Sequence, residues 1–311
     1  MSATRRSDSA RNHGEIAPMP SHDISNTESA SVASTRRCIT TASTLATDSR
    51  AFNAWADMVK LSSTIETNIP TGVHFEPIRN LQERTSMFPA WLKNPLSAEF
   101  RYLSPSHIYW RDYLCSEIQP GNGVYSDNGS DDPCLPNAVR NIFQICHRLR
   151  AVEEELYSET DVRYPVDTLL ACICEVGADR PTNYLTDRLL RLPDCTTERF
   201  KVATTTVDGA IAIRVAGFEP YLSNPDLQQA ASAIVNPDTL ALELFHCVVG
   251  FQSLVSGENQ MKMAMVSALH QKKVLGIRTQ FVFGIFQYNW DFVQVNAACW
   301  MVEKASLLFI V

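Results

Sequence analysis

Residues 258–288 carry the most regular pattern of the chain and read ENQMKMAMVSALHQKKVLGIRTQFVFGIFQY. Met261, Met265 and Leu269 recur at a spacing of four residues, which predicts a helix that ends near Gly276. The short apolar run that follows Gly276 predicts a buried strand. A helix followed by a buried strand indicates that this part of the chain folds as layers of helix and sheet.

The patterns that precede and follow this stretch extend the same architecture. Apolar residues at spacings of three and four predict two helices, one from Ala138 and one from Pro165 to Gly177. Gly209 is expected to form a turn or a bulge between two strands. The predicted strands are residues 200–207, 210–215, 240–249, 280–288 and 292–302. The sequence therefore predicts an α/β or α+β layer arrangement in the order α-α-β-β-β-α-β-β.

Composition divides the chain into three parts. Residues 1–50 contain 10 Ser and 7 Thr with few large apolar residues, which predicts a disordered tail. Residues 51–134 predict a helical and irregular section that packs on the core and ends in a loop rich in Gly, Asn, Asp and Pro. Residues 135–311 form the strongly patterned domain.

Charge and composition exclude several classes of protein. The 311 residues are 45% hydrophobic with a net charge of -7, so a basic protein that coats nucleic acid is excluded. The charge divides into +1 for residues 1–50, -8 for residues 51–198 and 0 for residues 199–311. No apolar run is long enough to span a bilayer and no secretory signal is visible, so we predict an intracellular protein, nuclear or cytoplasmic, without a membrane partner.

Two carboxylates lie in apolar strand patterns. Asp208 precedes Gly209, and Glu243 lies within a run of Leu, Ala and Phe. A carboxylate in such a strand is costly unless it is paired, exposed or bound to a cation. Two carboxylates from neighbouring strands would form an oxygen-rich cation site that can activate water against a phosphate. A turn role for Asp208 and an ion pair for Glu243 remain open alternatives.

The order of these motifs resembles the PD-(D/E)XK nuclease superfamily, and most closely the restriction-endonuclease-like domains of fungal proteins. The motifs are D-G-x-I-x-I from Asp208, the strand with Glu243, the Asn259-Gln260 pair, Leu275-Gly276-Ile277 and the strand Phe281-Val282-Phe283-Gly284-Ile285. The resemblance covers about residues 135–302. It implies a core of a mixed β-sheet flanked by helices, and Mg²⁺-dependent hydrolysis of DNA phosphodiesters without a small-molecule cofactor.

The resemblance also implies roles for individual residues. Asp208 and Glu243 would be the two metal-binding carboxylates, and Gln260 would face the site from the helix. An acidic residue of the first helix would complete the metal site, with Glu159 preferred over residues 153–155. The patch Lys272-Lys273-Arg278 would either contact phosphate or stabilise the end of the helix.

The lysine of the E-x-K motif is missing. Strand alternation puts Phe245 at that position beside Glu243 and sends His246 to the opposite face. Lys262 can supply an ammonium group, although it does not share a helix face with Gln260. The resemblance therefore implies a degenerate, catalytically impaired protein that retains nucleic-acid or protein binding. The alternatives are an active Mg²⁺-dependent endonuclease with Lys262 in the catalytic site, and a non-enzymatic interaction protein in which the two carboxylates never meet.

Overall fold

The computed structural model describes residues 38–85, 87–118, 126–127, 135–153, 159–175, 182–195, 197, 200–235, 240–251, 254–277, 279–287, 293–301 and 306–310. Most of the predicted tail, residues 1–37, lies outside this part of the chain. None of the described helices is long and apolar enough to cross a membrane.

A mixed sheet of seven strands forms the centre of the fold. The strands are β1 (Leu61–Glu66), β4 (Thr182–Arg191), β5 (Thr204–Ala216), β6 (Ala241–Gly250), β7 (Val282–Gln287), β8 (Val293–Met301) and β9 (Ser306–Ile310), in the order β1-β9-β8-β7-β6-β5-β4. The pairs β1–β9 and β6–β7 are parallel and the other neighbours are antiparallel. Two short strands, β2 (Met87–Phe88) and β3 (Ser126–Asp127), pair separately. The predicted mixture of helix and sheet is confirmed.

Helices lie before, between and against these strands. They are α1 (Ala42–Thr47), α2 (Ser49–Met58), α3 (Glu76–Thr85), α4 (Pro105–Glu117), α5 (Leu135–Glu153), α6 (Glu159–Glu175), α7 (Glu219–Leu222), α8 (Pro225–Ala231) and α9 (Leu254–Val274). Short 3-10 helices span Val73–Phe75, Ala90–Lys93 and Ala98–Phe100. The parallel pair β6–β7 requires a crossover connection, and α9 provides it.

The helix α9 packs closely on the sheet. Met261, Met263 and Met265 are buried in the main apolar core. Their flexible side chains fill the space between the helix and the sheet. A Cβ at Gly284 of β7 would overlap the sulfur atoms of Met261 and Met265. The glycine in the strand therefore allows this close approach of helix and sheet.

The strands before β6 differ from the prediction. Residues 204–216 form one strand, β5, and Gly209 lies within it rather than in a turn. Its neighbour β4 and the short helices α7 and α8 were not predicted. A Cβ at Gly209 would overlap the hydroxyl of Tyr184 on β4, so this glycine makes room for a cross-strand neighbour.

The N-terminal section contributes to the core directly. The tail predicted to reach residue 50 is wrong at its end, because α1 and α2 begin before that position. Leu45 and Ala46 are fully buried, and Asp48 caps α2 by accepting hydrogen bonds from two backbone N–H groups at 3.0 Å. Strand β1 extends the sheet at β9. These residues therefore fold with the sheet, because they bury apolar surface against it.

Candidate functional site

Asp208 lies in the interior of β5 and is mostly buried. Its Oδ2 accepts a hydrogen bond from the backbone N–H of Phe251 at 2.7 Å, and its Oδ1 lies 3.8 Å from Nη1 of Arg163. Arg163 Nη2 also donates to the backbone oxygen of Asp208 at 2.5 Å. Burial raises the pKa of Asp208, and the Phe251 N–H and the Arg163 charge oppose that rise. The strand continues on both sides of Asp208, which excludes a hairpin-turn role.

Glu243 does not approach Asp208. In the β5–β6 register Gly209 is opposite Val249, whereas Glu243 is opposite Arg214. Roughly 20 Å of strand, at ~3.3 Å per residue, separates Asp208 from the partner of Glu243. Glu243 Oε1 instead lies 3.7 Å from Arg214 Nη1. The predicted pair of metal-binding carboxylates is therefore wrong, since one metal ion cannot bridge this separation.

A bulge in β6 explains a second difference. Phe245 is opposite Ala212 and Cys247 is opposite Ile211, so His246 is the extra residue of the strand. Phe245 and His246 both contact α9. The backbone N–H of Phe245 donates to Gln271 Oε1 at 3.0 Å, and His246 Nδ1 lies 3.2 Å from Lys272 Nζ. Simple alternation, which sent His246 to the opposite face, fails here because the bulge interrupts the period of two.

Gln260 lies close to Asp208. The two residues line one small cavity of about 10 Å³, room for about one water molecule. The side-chain amide of Gln260 donates to Ser43 Oγ of α1 at 2.9 Å, and the neighbouring Asn259 donates to the backbone oxygen of Ala46 at 2.8 Å. The Asn-Gln pair therefore holds α1 against α9.

Lys262 has a local partner on the helix. Its Nζ lies 2.6 Å from Oε1 of Glu258, one turn earlier on α9. This i,i+4 ion pair is typical of a helix surface. The ammonium group expected to replace the missing lysine is thus directed to Glu258.

The predicted acidic ligand of the first helix cannot be located by its side chain. Glu159 begins α6, but its side chain lies outside the described residues, as do those of residues 153–155. One turn further along α6, Arg163 is the side chain that reaches Asp208. Helix α6 therefore brings a positive charge to Asp208.

Arg163 is the centre of a polar cluster of five residues. Its Nε lies 2.8 Å from Asp167 Oδ2, and its Nη1 lies 2.7 Å from Asp187 Oδ1 and 3.8 Å from Asp208 Oδ1. The hydroxyl of Tyr184 donates to Asp167 Oδ1. Burial opposes the charge of Arg163, but the hydrogen bonds and charges of Asp187 and Asp167 outweigh it and raise the pKa of Arg163. We call these residues the Arg163 cluster.

The Arg163 cluster was missed because of a helix boundary. Pro165 was expected to open the helix, so Arg163 was placed ahead of it, whereas α6 begins at Glu159 and contains Pro165 in its interior. Asp187 lies on the unpredicted strand β4 and has a φ of 51°. The one local sign of this cluster in the sequence is the spacing of four residues between Arg163 and Asp167, which is typical of an ion pair on a helix.

These residues do not fit the Mg²⁺ ion that the resemblance implies. Mg²⁺ requires oxygen ligands around it, whereas the space between the three aspartates holds the guanidinium of Arg163. Among the described side chains, no group of three or more His, Cys, Asp or Glu residues is arranged to hold a metal ion.

Lys272 is fully buried, contrary to the surface patch expected there. Its Nζ donates to the backbone oxygen of Phe281 at 2.8 Å and to Oε1 of Gln280 at 3.3 Å, and lies 3.2 Å from His246 Nδ1. Burial lowers the pKa of Lys272 to about 8. Burial and the Lys272 charge lower the pKa of His246 to about 4. Lys272 therefore joins α9 to β6 and to the start of β7.

Lys273, the second lysine of the expected basic patch, also contacts a residue of the fold. Lys273 Nζ lies 4.3 Å from the ring centroid of Trp300, a cation–π contact. The indole N–H of Trp300 donates to the backbone oxygen of Leu269 at 3.0 Å. Arg278 lies outside the described residues. Lys272 and Lys273 thus serve contacts within the fold.

Comparison of the chain with protein-family models, with curated proteins and with solved structures gives no match.

Proposed function

We propose that this chain is a non-catalytic protein with a PD-(D/E)XK nuclease-like core, and that it acts by binding nucleic acid or protein. The mixed sheet, the crossover helix α9 and the Asp208–Gln260 pair beside one cavity support a nuclease-like ancestry. The contacts of the residues that would perform the chemistry support the loss of activity.

The observation that carries this proposal is the position of Arg163. Its guanidinium lies among Asp167, Asp187 and Asp208, of which Asp208 is the carboxylate that the resemblance assigns to metal binding. A guanidinium satisfies carboxylates by charge and hydrogen bonds, but it cannot bind a water molecule as a Lewis acid or lower its pKa. Arg163 therefore neutralises charge on the aspartates, but it does not activate a water molecule for attack on a phosphate.

The other expected site residues also have partners within the protein. Glu243 lies by Arg214, Gln260 donates to Ser43 and Lys262 is paired with Glu258. The second carboxylate that the resemblance expects from β6 does not lie beside Asp208, because the register of β6 puts Gly250 and Phe251 there. These contacts favour a binding protein over the active enzyme.

A plasmid-nicking assay with Mg²⁺ or Mn²⁺ tests this proposal. The wild-type protein and Asp208→Asn should leave supercoiled DNA equally intact. Asp57→Asn, a change at an exposed aspartate of α2, serves as the matched control. Cleavage by the wild type and by Asp57→Asn that is lost in Asp208→Asn would overturn the proposal, because it would assign the reaction to Asp208.

A further inference from the structure

A cleft of about 410 Å³ lies between the end of β4, α8 and the C-terminal part of α9. Its volume falls within the ~300–1,000 Å³ that is usual for small-molecule sites. It shares no residue with the Arg163 cluster or with the cavity beside Asp208. The cleft is therefore a separate candidate for binding.

Arg191, the last residue of β4, contributes a fixed positive charge to this cleft. Its Nη1 donates to the backbone oxygen of Gln229 at 3.2 Å, and its Nη2 donates to that of Val235 at 2.9 Å. Both acceptors are uncharged, and no ion pair within the described part of the chain involves Arg191. Because a guanidinium has five N–H donors, the two carbonyl contacts orient it and leave donors for a ligand.

Helix α9 forms one side of the cleft and contributes His270 together with two side chains, Ser267 and Gln271, that are held by hydrogen bonds. His270 lines the cleft half-buried, and burial together with the Lys273 charge lowers its pKa, so a neutral imidazole is favoured. The hydroxyl of Ser267 donates to the backbone oxygen of Arg191 at 2.5 Å. Gln271 donates to two backbone oxygens and accepts the N–H of Phe245, so its amide is held in place.

The wall formed by α8 limits the size and charge of what can bind. Asp226 and Gln229 line the cleft from this side and are exposed. A carboxylate at the rim repels an extended polyanion, but it can accept hydrogen bonds from hydroxyl or amino groups. The cleft therefore combines a donor for an oxyanion with acceptors for the rest of a small molecule.

We infer that this cleft binds a small organic anion whose carboxylate or phosphate group contacts Arg191. Guanidinium groups bind both oxyanions through paired, charge-assisted hydrogen bonds. His270 lies where it can add one further hydrogen bond, and Asp226 with Gln229 contacts the polar remainder.

Calorimetric titration of the full chain with inorganic phosphate and, separately, with citrate tests this inference. At least one anion should bind with a Kd at or below about 1 mM. Arg191→Gln should weaken that binding about tenfold or more, as the loss of a hydrogen bond to a charged group predicts. Arg188→Gln, at an exposed arginine of the same strand, is the matched control and should bind like the wild type.

A second variant separates ligand binding from folding. Ala230→Trp fills the cleft from an exposed position of α8 and removes no polar group, so it should abolish binding while circular dichroism stays unchanged. If Arg191→Gln fails to fold, Ala230→Trp alone decides the test. Absence of saturable binding by either anion, or binding that Ala230→Trp leaves intact, would overturn the inference. A response to citrate alone or to phosphate alone identifies which oxyanion the site accepts.

Discussion

Arg163 brings one positive charge to three aspartates that come from α6, β4 and β5. Arg163 lies 2.8 Å from Asp167 and 2.7 Å from Asp187, but 3.8 Å from Asp208. Asp208 also accepts a hydrogen bond from the backbone N–H of Phe251. Breaking a buried ion pair by removing one partner typically costs about 3–5 kcal/mol, because the remaining charge stays buried. At the scale of single residues, the fold near Asp208 thus depends on the charge of Arg163, whose only local sign in the sequence is its spacing of four residues from Asp167.

Replacement of Gly209 by alanine should destabilise the protein by about 1–3 kcal/mol, as an overpacked core site does. The added Cβ would overlap the Tyr184 hydroxyl and displace it from Asp167. Urea unfolding of Gly209→Ala measures the loss. Gly250→Ala is the control, because its Cβ would lie 4.0 Å from Met261 Cβ, an ordinary contact.

The cause can be isolated with Tyr184→Ala. In that background Gly209→Ala should cost much less than it does in the wild type, because the clashing ring is gone. An equal cost in both backgrounds would show that the glycine is required for another reason.

At the scale of elements, the long apolar segments could be predicted and the pairing of strands could not. Helix α9 and the strands on either side of it have strong patterns of their own, so the sequence located them. Strand β4 lies at a sheet edge, exposes residues 186–189, and lacks such a pattern. The bulge at His246 and the register that separates Glu243 from Asp208 depend on contacts between strands, which no local pattern records.

The contact between His246 and Lys272 predicts a pH dependence of stability. His246 has a pKa of about 4 in the folded protein, below its ordinary 6.5, so the unfolded chain binds the proton more readily. The stabilisation is complete above pH 6.5 and is lost as the pH falls through 4. The loss should amount to up to about 3 kcal/mol.

Urea unfolding of the wild type and of His246→Gln between about pH 7 and pH 4 measures this effect. Glutamine keeps an acceptor near Lys272 but does not titrate, so the stability of the variant should fall less steeply over this range. Parallel curves for the two proteins would show that His246 titrates normally in the fold.

At the scale of the whole molecule, the cavity beside Asp208 and the cleft at Arg191 are two separate candidate sites. The sequence identified Asp208 and Gln260, which do line one cavity, but it did not identify Arg163, because the start of α6 was misplaced. The cleft at Arg191 was not predicted either, since it is built from β4 and α8, both missed elements. A site that is assembled from the ends of several elements can be located only in the tertiary structure. A residue within one strongly patterned element can be located from the sequence.

The proposal that the molecule is a non-catalytic protein rests on the Arg163 guanidinium beside Asp208, the carboxylate that the resemblance assigns to metal binding. Calorimetric titration with Mn²⁺ of the wild type, of Asp208→Asn and of Arg163→Met tests this claim most directly. The wild type should show no binding that depends on Asp208. Arg163→Met, shown first to be folded by circular dichroism, should also show no such site, because the described side chains of Asp167, Asp187 and Asp208 are not grouped to hold a metal ion. A saturable Mn²⁺ site in the wild type that Asp208→Asn removes would contradict the account.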